Sequence, residues 1–345
     1  MSPYTKDGSD YRPNGIISSQ GSTRFYYFQE KSIQMFNSIR LIFISIFTVI
    51  SFASIVSAQN YISYVAESGV DVNTCVAASP CRTIDKALSL TQPGGKVILA
   101  ENGYYQPTFI GISVTITAAE GVEATIVASA LPGSSLALGP NLLSTDTVTF
   151  RNLHFVGDGD QYGLYLLKAG VVNVDNCTFD NLAIGIASDS SSQLFIHNST
   201  FRNNKTGVRV SGPSEAVARI TVDSSTFESN YIGIMVDGRA YATVRNTIVA
   251  NSSYRGIWER SYNHNQNAEL LLDNCQLNHN FVGLWVQAVD RGAPIARLSR
   301  STITNNRTSG LLMTANTTVY SLGNNVFAGN FPDISGGVLT ALAPK

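Results

Sequence analysis

The stretch of sequence that decides the fold reads VNVDNCTFDNLAIGI over residues 172–186. Apolar and polar residues alternate in its first part, and Phe179 forms an apolar anchor three residues after an Asn. The same pattern occurs eight times between residues 148 and 327, with anchors spaced 22 to 28 residues apart. Self-similarity at this period predicts a solenoid, in which each repeat stacks on the previous one. The anchors are Phe155, Phe179, Phe201, Phe227, Val249, Leu277, Ile303 and Phe327.

Each repeat contains three strand signals. The positions seven and five before the anchor are mostly apolar, as in Val172 and Val174, and the residues between them are polar, which is the alternation of a half-buried strand. An Asn three residues before most anchors tolerates left-handed backbone and predicts a turn, and a second strand ends at the anchor. Three strands in a coil of about 24 residues predict an all-β fold, a parallel β-helix. The third strand opens with Gly in these repeats: Gly163, Gly185, Gly207, Gly233, Gly256, Gly283 and Gly310.

The N-terminal region predicts export. After Met35, the apolar run Leu41 to Val56 ends before the small residues Ser57 and Ala58, which is the pattern of a signal peptide. We therefore expect a signal peptide over 35–58, cleaved after Ala58, and a non-native or disordered extension over 1–34. An uncleaved membrane anchor is the alternative, since the run is just long enough to span a bilayer.

Three further segments complete the predicted organisation. Residues 59–96 form an N-terminal cap, in which Thr83 begins a short helix, Ile84 to Leu90, that ends at Pro93-Gly94-Gly95. This helix covers the first coil, because solenoid ends must be shielded from solvent. The β-helix itself is predicted over 97–335, with a C-terminal tail over 336–345.

Charge and cysteine content narrow the partners and the compartment. The formal net charge is −1 with no basic stripe, which argues against a nucleic-acid partner. Cys75 and Cys81 bracket a short loop and predict a disulfide in an exported protein. Cys177 and Cys275 lie four coils apart, roughly 19 Å at ~4.8 Å per coil, which exceeds the ~7 Å limit between bridged Cα atoms. They are predicted to be buried thiols.

The chain resembles a known superfamily. Segments 64–71, 80–84 and 93–97 resemble the start of secreted right-handed parallel β-helix proteins, and the Asn-x-x-Phe-x-Asn coils resemble those of the pectin-lyase-like superfamily. The resemblance covers residues 61–335 and implies a right-handed β-helix. It does not imply one reaction, because this fold carries lyases, hydrolases, esterases, epimerases, adhesins and stalks.

The resemblance also implies where a ligand binds, since polysaccharide in that superfamily usually lies along the face of the strand that here begins with Gly. Trp258 and Trp285 occupy the outward position of this strand in adjacent coils. Aromatic rings at such spacing could stack on the apolar faces of sugars. Alternatively a loop, the tail or a second protomer covers them, so that this face forms an oligomer contact. The predicted substrate-binding residues are Tyr165, Arg209, Met235, Trp258, Trp285, Arg260, Tyr262 and Arg291.

Candidate catalytic residues lie in two stretches predicted as long turns, 259–267 and 287–292. Glu259, His264, Asp290 and Arg291 could form an acid/base set there, because loops on a rigid scaffold commonly build sites. Arg209 is a further candidate, since calcium-dependent lyases of the superfamily use a basic residue to remove a proton.

A metal site is not predicted. The carboxylates that flank Arg209, Asp189 and Asp237, lie two coils apart, roughly 10 Å, whereas ligands of one Ca²⁺ are separated by at most ~5 Å. Calcium is therefore poorly supported, and no cofactor is expected. The motifs of polygalacturonases and pectin methylesterases are absent from the sequence.

These observations predict a secreted or cell-surface β-helix that binds polysaccharide or a cell-surface glycan on its aromatic strand face, without a complete catalytic motif. No stable membrane span is expected after signal cleavage. The first alternative is a polysaccharide lyase or glycoside hydrolase, and the second is a structural or adhesive surface protein.

Overall fold

The computed structural model describes residues 35, 59–128, 136–139, 141–213, 215–262 and 267–342. Contacts divide the chain into two units, Met1–Ser57 and Ala58–Lys345, and the described residues other than Met35 belong to the second. The predicted extension and signal peptide therefore lie, Met35 apart, outside the described residues. No helix in the described part of the chain is long and apolar enough to cross a membrane.

Three parallel sheets run along the solenoid, and each coil contributes one strand to each sheet. Each strand, except those at the two ends of each sheet, pairs with the equivalent strands of the preceding and following coils, which confirms the predicted right-handed parallel β-helix. In the described residues the first sheet comprises β1 (Asn60–Val65), β2 (Thr91–Leu99), β5 (Val114–Ala118), β8 (Thr147–Arg151), β11 (Val171–Asp175), β14 (Gln193–His197), β17 (Ala218–Asp223), β20 (Ala240–Arg245), β23 (Glu269–Asp273), β26 (Ile295–Ser299), β29 (Thr318–Ser321) and β32 (Thr340–Ala341).

The second sheet contains the anchors. Its strands in the same part of the chain are β3 (Gly103–Tyr105), β6 (Ala124–Val127), β9 (Leu153–Val156), β12 (Thr178–Asp180), β15 (Thr200–Arg202), β18 (Thr226–Glu228), β21 (Ile248–Ala250), β24 (Gln276–Asn278), β27 (Thr302–Thr304) and β30 (Val326–Ala328).

The third sheet contains the strands that open with Gly. Where the chain is described, these are β4 (Phe109–Ile110), β7 (Leu136–Leu138), β10 (Tyr162–Leu166), β13 (Ile184–Ser188), β16 (Thr206–Gly212), β19 (Ile232–Gly238), β22 (Arg255–Ser261), β25 (Val282–Ala288), β28 (Ser309–Met313) and β31 (Ile334–Ser335).

The core is a set of apolar columns parallel to the axis. Phe155, Phe179, Phe201 and Phe227 stack face to face, with centroid distances of 4.6, 4.7 and 4.6 Å and interplanar angles of 2°, 2° and 3°. All four are at most 1% exposed. Each ring contributes its buried area together with the extra attraction of an aromatic pair, about 0.5–1.5 kcal/mol. The anchors predicted from the repeat are therefore the centre of the core in these coils.

The turn between the first and second strands has the predicted backbone conformation. Asn152, Asn176 and Asn198 have φ of 56°, 52° and 48°, which Asn tolerates better than most residues. Their side chains form a ladder, in which Asn176 Nδ2 donates to Asn152 Oδ1 at 2.9 Å and Asn198 Nδ2 donates to Asn176 Oδ1 at 3.2 Å. In the last such turn the left-handed residue is Gly323, not the predicted Asn324.

The predicted N-terminal helix is present as α1 (Ile84–Leu90), and the Thr83 side chain accepts a hydrogen bond from the Lys86 N–H at 3.2 Å. The helix buries Ile84 and Ala87 against the first coil. The helix has the predicted bounds, but Pro93-Gly94-Gly95 does not form the segment that ends it. Helix α1 ends at Leu90, and β2 begins directly at Thr91 and includes Pro93-Gly94-Gly95, where its register with β1 shifts.

The first sheet also extends beyond the predicted β-helix at both ends. It begins with β1 in the segment expected to be only a cap, and it ends with β32, which pairs with β29 inside the expected tail. Sequence patterning missed these strands because each is short and lacks a complete repeat around it.

The cysteines behave as predicted. Cys75 and Cys81 form a disulfide with a Cα–Cα distance of 4.7 Å. Cys177 and Cys275 are free and buried, and burial raises the pKa of the Cys177 thiol to about 12 and that of Cys275 to about 11. Both thiols are therefore protonated and unreactive in the folded protein.

Candidate functional site

The outer surface of the third sheet, together with the turn residues that immediately precede its strands, is called here the third-sheet face. The predicted column lies on it in continuous register: Arg209 is paired with Met235, Met235 with Trp258, and Trp258 with Trp285. Hydrogen bonding between the strands of successive coils keeps equivalent positions in such a column ~4.8 Å apart. Tyr165 lies on the same column, two coils before Arg209.

The two tryptophans form one aromatic unit. Their ring centroids are 5.9 Å apart at an interplanar angle of 26°, and both side chains are half-buried. Trp258 Nε1 donates a hydrogen bond to Gln287 Oε1 at 3.1 Å. The rings therefore form a partly exposed pair, in which the hydrogen bond to Gln287 holds Trp258.

Arg255 lies inside this unit. Its guanidinium carbon is 3.8 Å from the centroids of both tryptophan rings and 3.6 Å from that of Tyr254. The residue is only 3% exposed, and its Nη2 donates a short hydrogen bond to the Tyr254 hydroxyl. Burial lowers the pKa of the guanidinium to about 10, which still leaves it charged at neutral pH. Three aromatic rings thus surround one cation.

A second aromatic row lies beside the tryptophans, in the turns before β19, β22 and β25. Tyr231 stacks on Tyr254 at 4.9 Å, and Phe281 follows at 6.4 Å from Tyr254. Tyr231 is 49% exposed and Phe281 is 38% exposed. The sequence analysis missed this row, although one signal was available: all three residues stand two positions before the Gly of their strand.

Arg260 lies near the end of β22 and Tyr262 directly follows that strand, and both contact Asp237 from the neighbouring coil. Arg260 donates two hydrogen bonds to the Asp237 carboxylate, at 3.1 and 2.7 Å, and its guanidinium lies 4.4 Å from the Trp258 ring centroid. The Tyr262 hydroxyl donates to Asp237 at 3.4 Å. Burial, followed by the charge of Asp237, raises the pKa of Tyr262. This phenol is therefore protonated at neutral pH.

A similar pair lies two coils towards the N-terminus. Arg209 Nη2 donates to Asp189 Oδ2 at 2.8 Å, next to Tyr165. Burial, followed by the charge of Asp189, raises the pKa of the Tyr165 hydroxyl. Arg209 and Arg260 are each paired with an aspartate, and a guanidinium has no acceptor lone pair, so neither side chain is suited to accept a proton.

The candidate acid/base set is not brought together in the described residues. The prediction that Glu259 lies in a turn is wrong: it lies within β22, points inward between Val236 and Val286, and is 0% exposed. The reason is strand alternation, since its neighbour Trp258 points outward. Asp290 is exposed in the turn after β25, with φ of 53°. His264 lies outside the described residues.

Asp290 and Arg291, the remaining predicted residues, both lie in the exposed turn between β25 and β26. Their predicted roles in catalysis and substrate binding stay predictions. Met235, by contrast, is only 8% exposed and lies in the column next to Trp258, with which it pairs.

The described part of the chain holds no group of three or more His, Cys, Asp or Glu side chains that could bind a metal ion. Asp189 and Asp237, the carboxylates considered for calcium, are each engaged by an arginine at 2.8 and 2.7 Å. An arginine at that position competes directly with a cation for the same oxygens.

A cavity of about 610 Å³ lies away from the third-sheet face, on the outside of the second sheet, between the 119–125 segment and β9, β12 and β15. His154 lines it, and burial lowers the pKa of this imidazole below its ordinary value. None of the residues predicted to form a site lies there.

Several solved structures have a similar fold. The pectate lyase Pel9A is 16% identical, and the match covers 83% of this chain and 79% of that one with a TM-score of 0.46. The A-module of the mannuronan C-5 epimerase AlgE6 of Azotobacter vinelandii is 11% identical, with coverages of 82% and 89% and a TM-score of 0.44. PfbA, a surface adhesin of Streptococcus pneumoniae, is 12% identical, with coverages of 73% and 88% and a TM-score of 0.40. At these identities the likeness concerns the fold and not the activity.

No curated protein matches the chain. One protein family does, over residues 139–336, which is more than half of the 345 residues and includes the three-strand coils that carry the aromatic unit. The chain therefore belongs to the NosD family, described as periplasmic copper-binding protein.

Proposed function

We propose that this protein is an exported β-helix that binds polysaccharide on the third-sheet face. The observation that carries the proposal is the aromatic surface across three adjacent coils, formed by the row Tyr231, Tyr254 and Phe281 and by the pair Trp258 and Trp285. Aromatic side chains exposed in a row on a rigid sheet are seldom left without a partner.

A polysaccharide suits this surface for two reasons. Sugar rings offer apolar faces that stack on aromatic rings, and they offer hydroxyl groups that pair with polar side chains at the rim. Asp237, Arg260 and Gln287 supply such polar groups next to Trp258. The rings also recur at the spacing of the coils, so a linear polymer along the axis meets the same kind of contact several times.

Binding without turnover is the better-supported form of this function. Glu259 is inward and cannot reach a ligand on the outside, and Arg209 and Arg260 are paired with aspartates. A general acid or base must lie within hydrogen-bonding reach of the substrate. Among the described residues, no candidate acid or base without an ion-pair partner lies beside the tryptophans.

Copper, which the description of the family names, does not fit the residues that are described. Copper sites use His, Cys or Met side chains that converge. Here Cys177 and Cys275 are separate, buried and protonated, His154 and His197 lie on the outer faces of different sheets, and His279 lies in the exposed turn after β24. The described residues hold no group of three or more His, Cys, Asp or Glu side chains that could bind a metal ion. We therefore base no step of the proposed function on copper.

Export fits both the family and the sequence. The family description places its members in the periplasm, and the signal peptide predicted over 35–58 would deliver the chain there or beyond. A disulfide such as Cys75–Cys81 persists in oxidising compartments. We propose that the mature protein begins at Gln59.

The test is a titration of the protein with plant and bacterial polysaccharides, followed by tryptophan fluorescence and by the absorbance of unsaturated sugar products. We expect a saturable fluorescence change with at least one polymer and no product. Product formation would instead indicate a lyase, and the absence of any fluorescence change across the panel would contradict the proposed function.

Variants localise the site. Tyr231→Ala and Phe281→Ala each remove one exposed ring, and each should weaken binding roughly 2- to 10-fold, the equivalent of about 0.5–1.5 kcal/mol for an aromatic contact. Tyr241→Ala is the matched control, because Tyr241 is 40% exposed but lies on the first sheet. Equal losses in all three variants would exclude the third-sheet face as the binding surface.

A further inference from the structure

The third-sheet face has more hydrogen-bond donors than acceptors. Arg209 Nε, Arg255 Nε and Trp285 Nε1 are all shielded from solvent and have no hydrogen-bond partner in the described part of the chain. A buried donor without a partner costs about 1–3 kcal/mol, so three of them on one surface are not expected in a face that is complete by itself.

These donors share one surface. Arg209 and Trp285 belong to the same outward column, three coil steps or ~14 Å apart, and Arg255 lies between them under the tryptophan rings. The donors therefore follow the solenoid axis, in the direction that a linear polymer on this face would take.

The other buried polar atoms that lack hydrogen-bond partners do not supply acceptors for these three donors. Glu259 points into the core, Ser188 lies in the same inward column, and His154 lies on the second sheet. Ser252 lies in the turn before β22 and is 1% exposed. Among the described residues, no unpaired acceptor thus faces the three donors.

The charges have the same imbalance. Asp189 matches Arg209, and Asp237 matches Arg260, whereas Arg255 has no carboxylate partner in the described residues. Three arginines against two aspartates leave one positive charge on this set of residues. The rings around Arg255 compensate part of that charge through their quadrupoles, but they supply no acceptor for its Nε.

We propose that the ligand of the third-sheet face is an anionic polysaccharide, whose carboxylate or sulfate oxygens accept hydrogen bonds from Arg209, Arg255 and Trp285. This inference rests on the proposed function and narrows its ligand class. Charge-assisted hydrogen bonds of this kind are roughly twice as strong as neutral ones, and the guanidinium group suits the geometry of planar anions.

Access to Arg255 requires a side-chain movement. The indoles cover its guanidinium, but both are half-buried and Trp258 is fixed by one hydrogen bond to Gln287. Rotation of one indole would expose the guanidinium to a ligand. Ligand binding should therefore change the environment of the tryptophans directly.

The experiment compares matched polymers on the full exported protein. Polygalacturonate and alginate are each titrated beside their carboxyl-reduced, neutral products, and dextran sulfate is titrated beside dextran, with tryptophan fluorescence as the readout at 0.15 M salt. We expect each preferred anionic polymer to bind at least 10-fold more tightly than its neutral counterpart. The uronate and sulfate arms distinguish the two sources of the anionic group.

Each outcome decides the proposal. Equal binding of an anionic polymer and its neutral product would leave the proposed function standing and would overturn the inference of an anionic ligand. Absence of binding to every polymer would overturn both. Equal binding of all anionic polymers that disappears at 0.5 M salt would indicate unspecific attraction, because such attraction is screened over ~10 Å or less at these ionic strengths, and would also overturn the inference.

A variant pair supplies the protein side of the test. Arg255→Gln removes the unpaired charge and should abolish the preference for the anionic polymer while neutral binding persists. Arg219→Gln is the control, since Arg219 also contacts an aromatic ring, that of Tyr241, but lies on the first sheet. If Arg255→Gln does not fold, Arg209→Gln removes the charge and the guanidinium donors at a side chain that is 26% exposed, and a loss of preference for the anionic polymer is again expected.

Discussion

At the scale of single residues, Glu259 is the most unusual position of the core. It occupies an inward column between two valines, and neither carboxylate oxygen has a hydrogen bond of normal geometry to a described residue. Burial first, and then the charge of Glu269, raises its pKa well above the ordinary value. The Ile295 N–H and Arg297 oppose this shift only in part, and that N–H is already donated to Ala268.

The raised pKa of Glu259 predicts a pH-dependent stability. In the unfolded chain the group ionises near pH 4.3, whereas the folded protein keeps it neutral, so its contribution is greatest below ~pH 4 and declines as the pH rises towards the folded pKa. We expect Glu259→Leu to stabilise the protein by roughly 1–3 kcal/mol through the removal of an unpaired polar group. The gain should be larger at pH 8 than at pH 5, because the carboxyl of wild type ionises in the unfolded chain but not in the folded protein. Urea unfolding at both pH values measures this difference.

Glu259→Gln is the control for that experiment, because it keeps the size and polarity of the side chain but cannot ionise. Its stability relative to wild type should also improve between pH 5 and pH 8. A difference between wild type and both variants that does not change with pH would show that Glu259 keeps its ordinary pKa in the folded protein.

At the scale of elements, the stacked phenylalanines of the second sheet define how coils adhere to one another. Phe201 contacts a ring on either side at 4.7 and 4.6 Å. We expect Phe201→Ala to lower the free energy of unfolding by about 3–5 kcal/mol, because it removes a large buried side chain and leaves a cavity between two rings. Chemical denaturation measures the loss.

Phe195→Ala is the matched control for Phe201→Ala. Phe195 lies in the same coil, but on the outer side of β14, and it is 41% exposed. Its replacement should change stability by no more than about 0.5 kcal/mol. Similar losses for the two variants would contradict the assignment of the phenylalanine column as the main contact between coils.

The turns before the third sheet contain a second stabilising feature of this scale, a buried asparagine ladder. Asn230 is 0% exposed; its Nδ2 donates to the Phe201 carbonyl at 2.9 Å, and its Oδ1 accepts from the Asn204 backbone N–H at 2.9 Å. Asn230→Ala leaves these two backbone groups without partners, which should cost about 2–6 kcal/mol at roughly 1–3 kcal/mol per group. Thermal unfolding checks this, and Asn176→Ala, in the exposed ladder, should cost less.

At the scale of the whole molecule, the solenoid should unfold in segments, since each coil contacts only its neighbours. Cys177 lies among the stacked phenylalanines, whereas Cys275 lies among coils with the aliphatic anchors Val249, Leu277 and Ile303. We expect the Cys275 thiol to react with a thiol reagent at lower urea concentration than the Cys177 thiol, because the phenylalanine coils bury larger rings.

Single-cysteine variants, Cys177→Ala and Cys275→Ala, let the two thiols be followed separately. In the absence of urea both should remain unreactive, because they are buried and protonated. Coincident labelling curves for the two variants would show that the solenoid unfolds as one cooperative unit.

Much of the fold was predictable from the sequence because its signals are local. The anchors and the two-residue alternation define the inward columns, and the Asn positions define left-handed turns such as that at Asn176. Short strands at the ends, such as β32, could not be predicted, because their pairing depends on the neighbouring coil and not on their own pattern.

The candidate site was predictable only in part. The outward column with Trp258 and Trp285 followed from alternation alone. The same alternation places Glu259 inward. A charged side chain, however, favours an exposed turn, which is why the sequence predicted a turn at this position. The enclosure of Arg255 by three rings depends on side chains from different turns and strands, which no linear pattern contains.

The constant register of the coils also bears on how such a molecule changes over generations. Ile232 pairs with Arg255, so residues 232–254 amount to one full coil. A gene duplication of that segment would insert a complete coil whose edges already match both neighbours, and it would lengthen the third-sheet face by ~4.8 Å. Recombination could thus lengthen the bound polymer segment by one coil at a time within the same fold, and avidity would rise with each added coil.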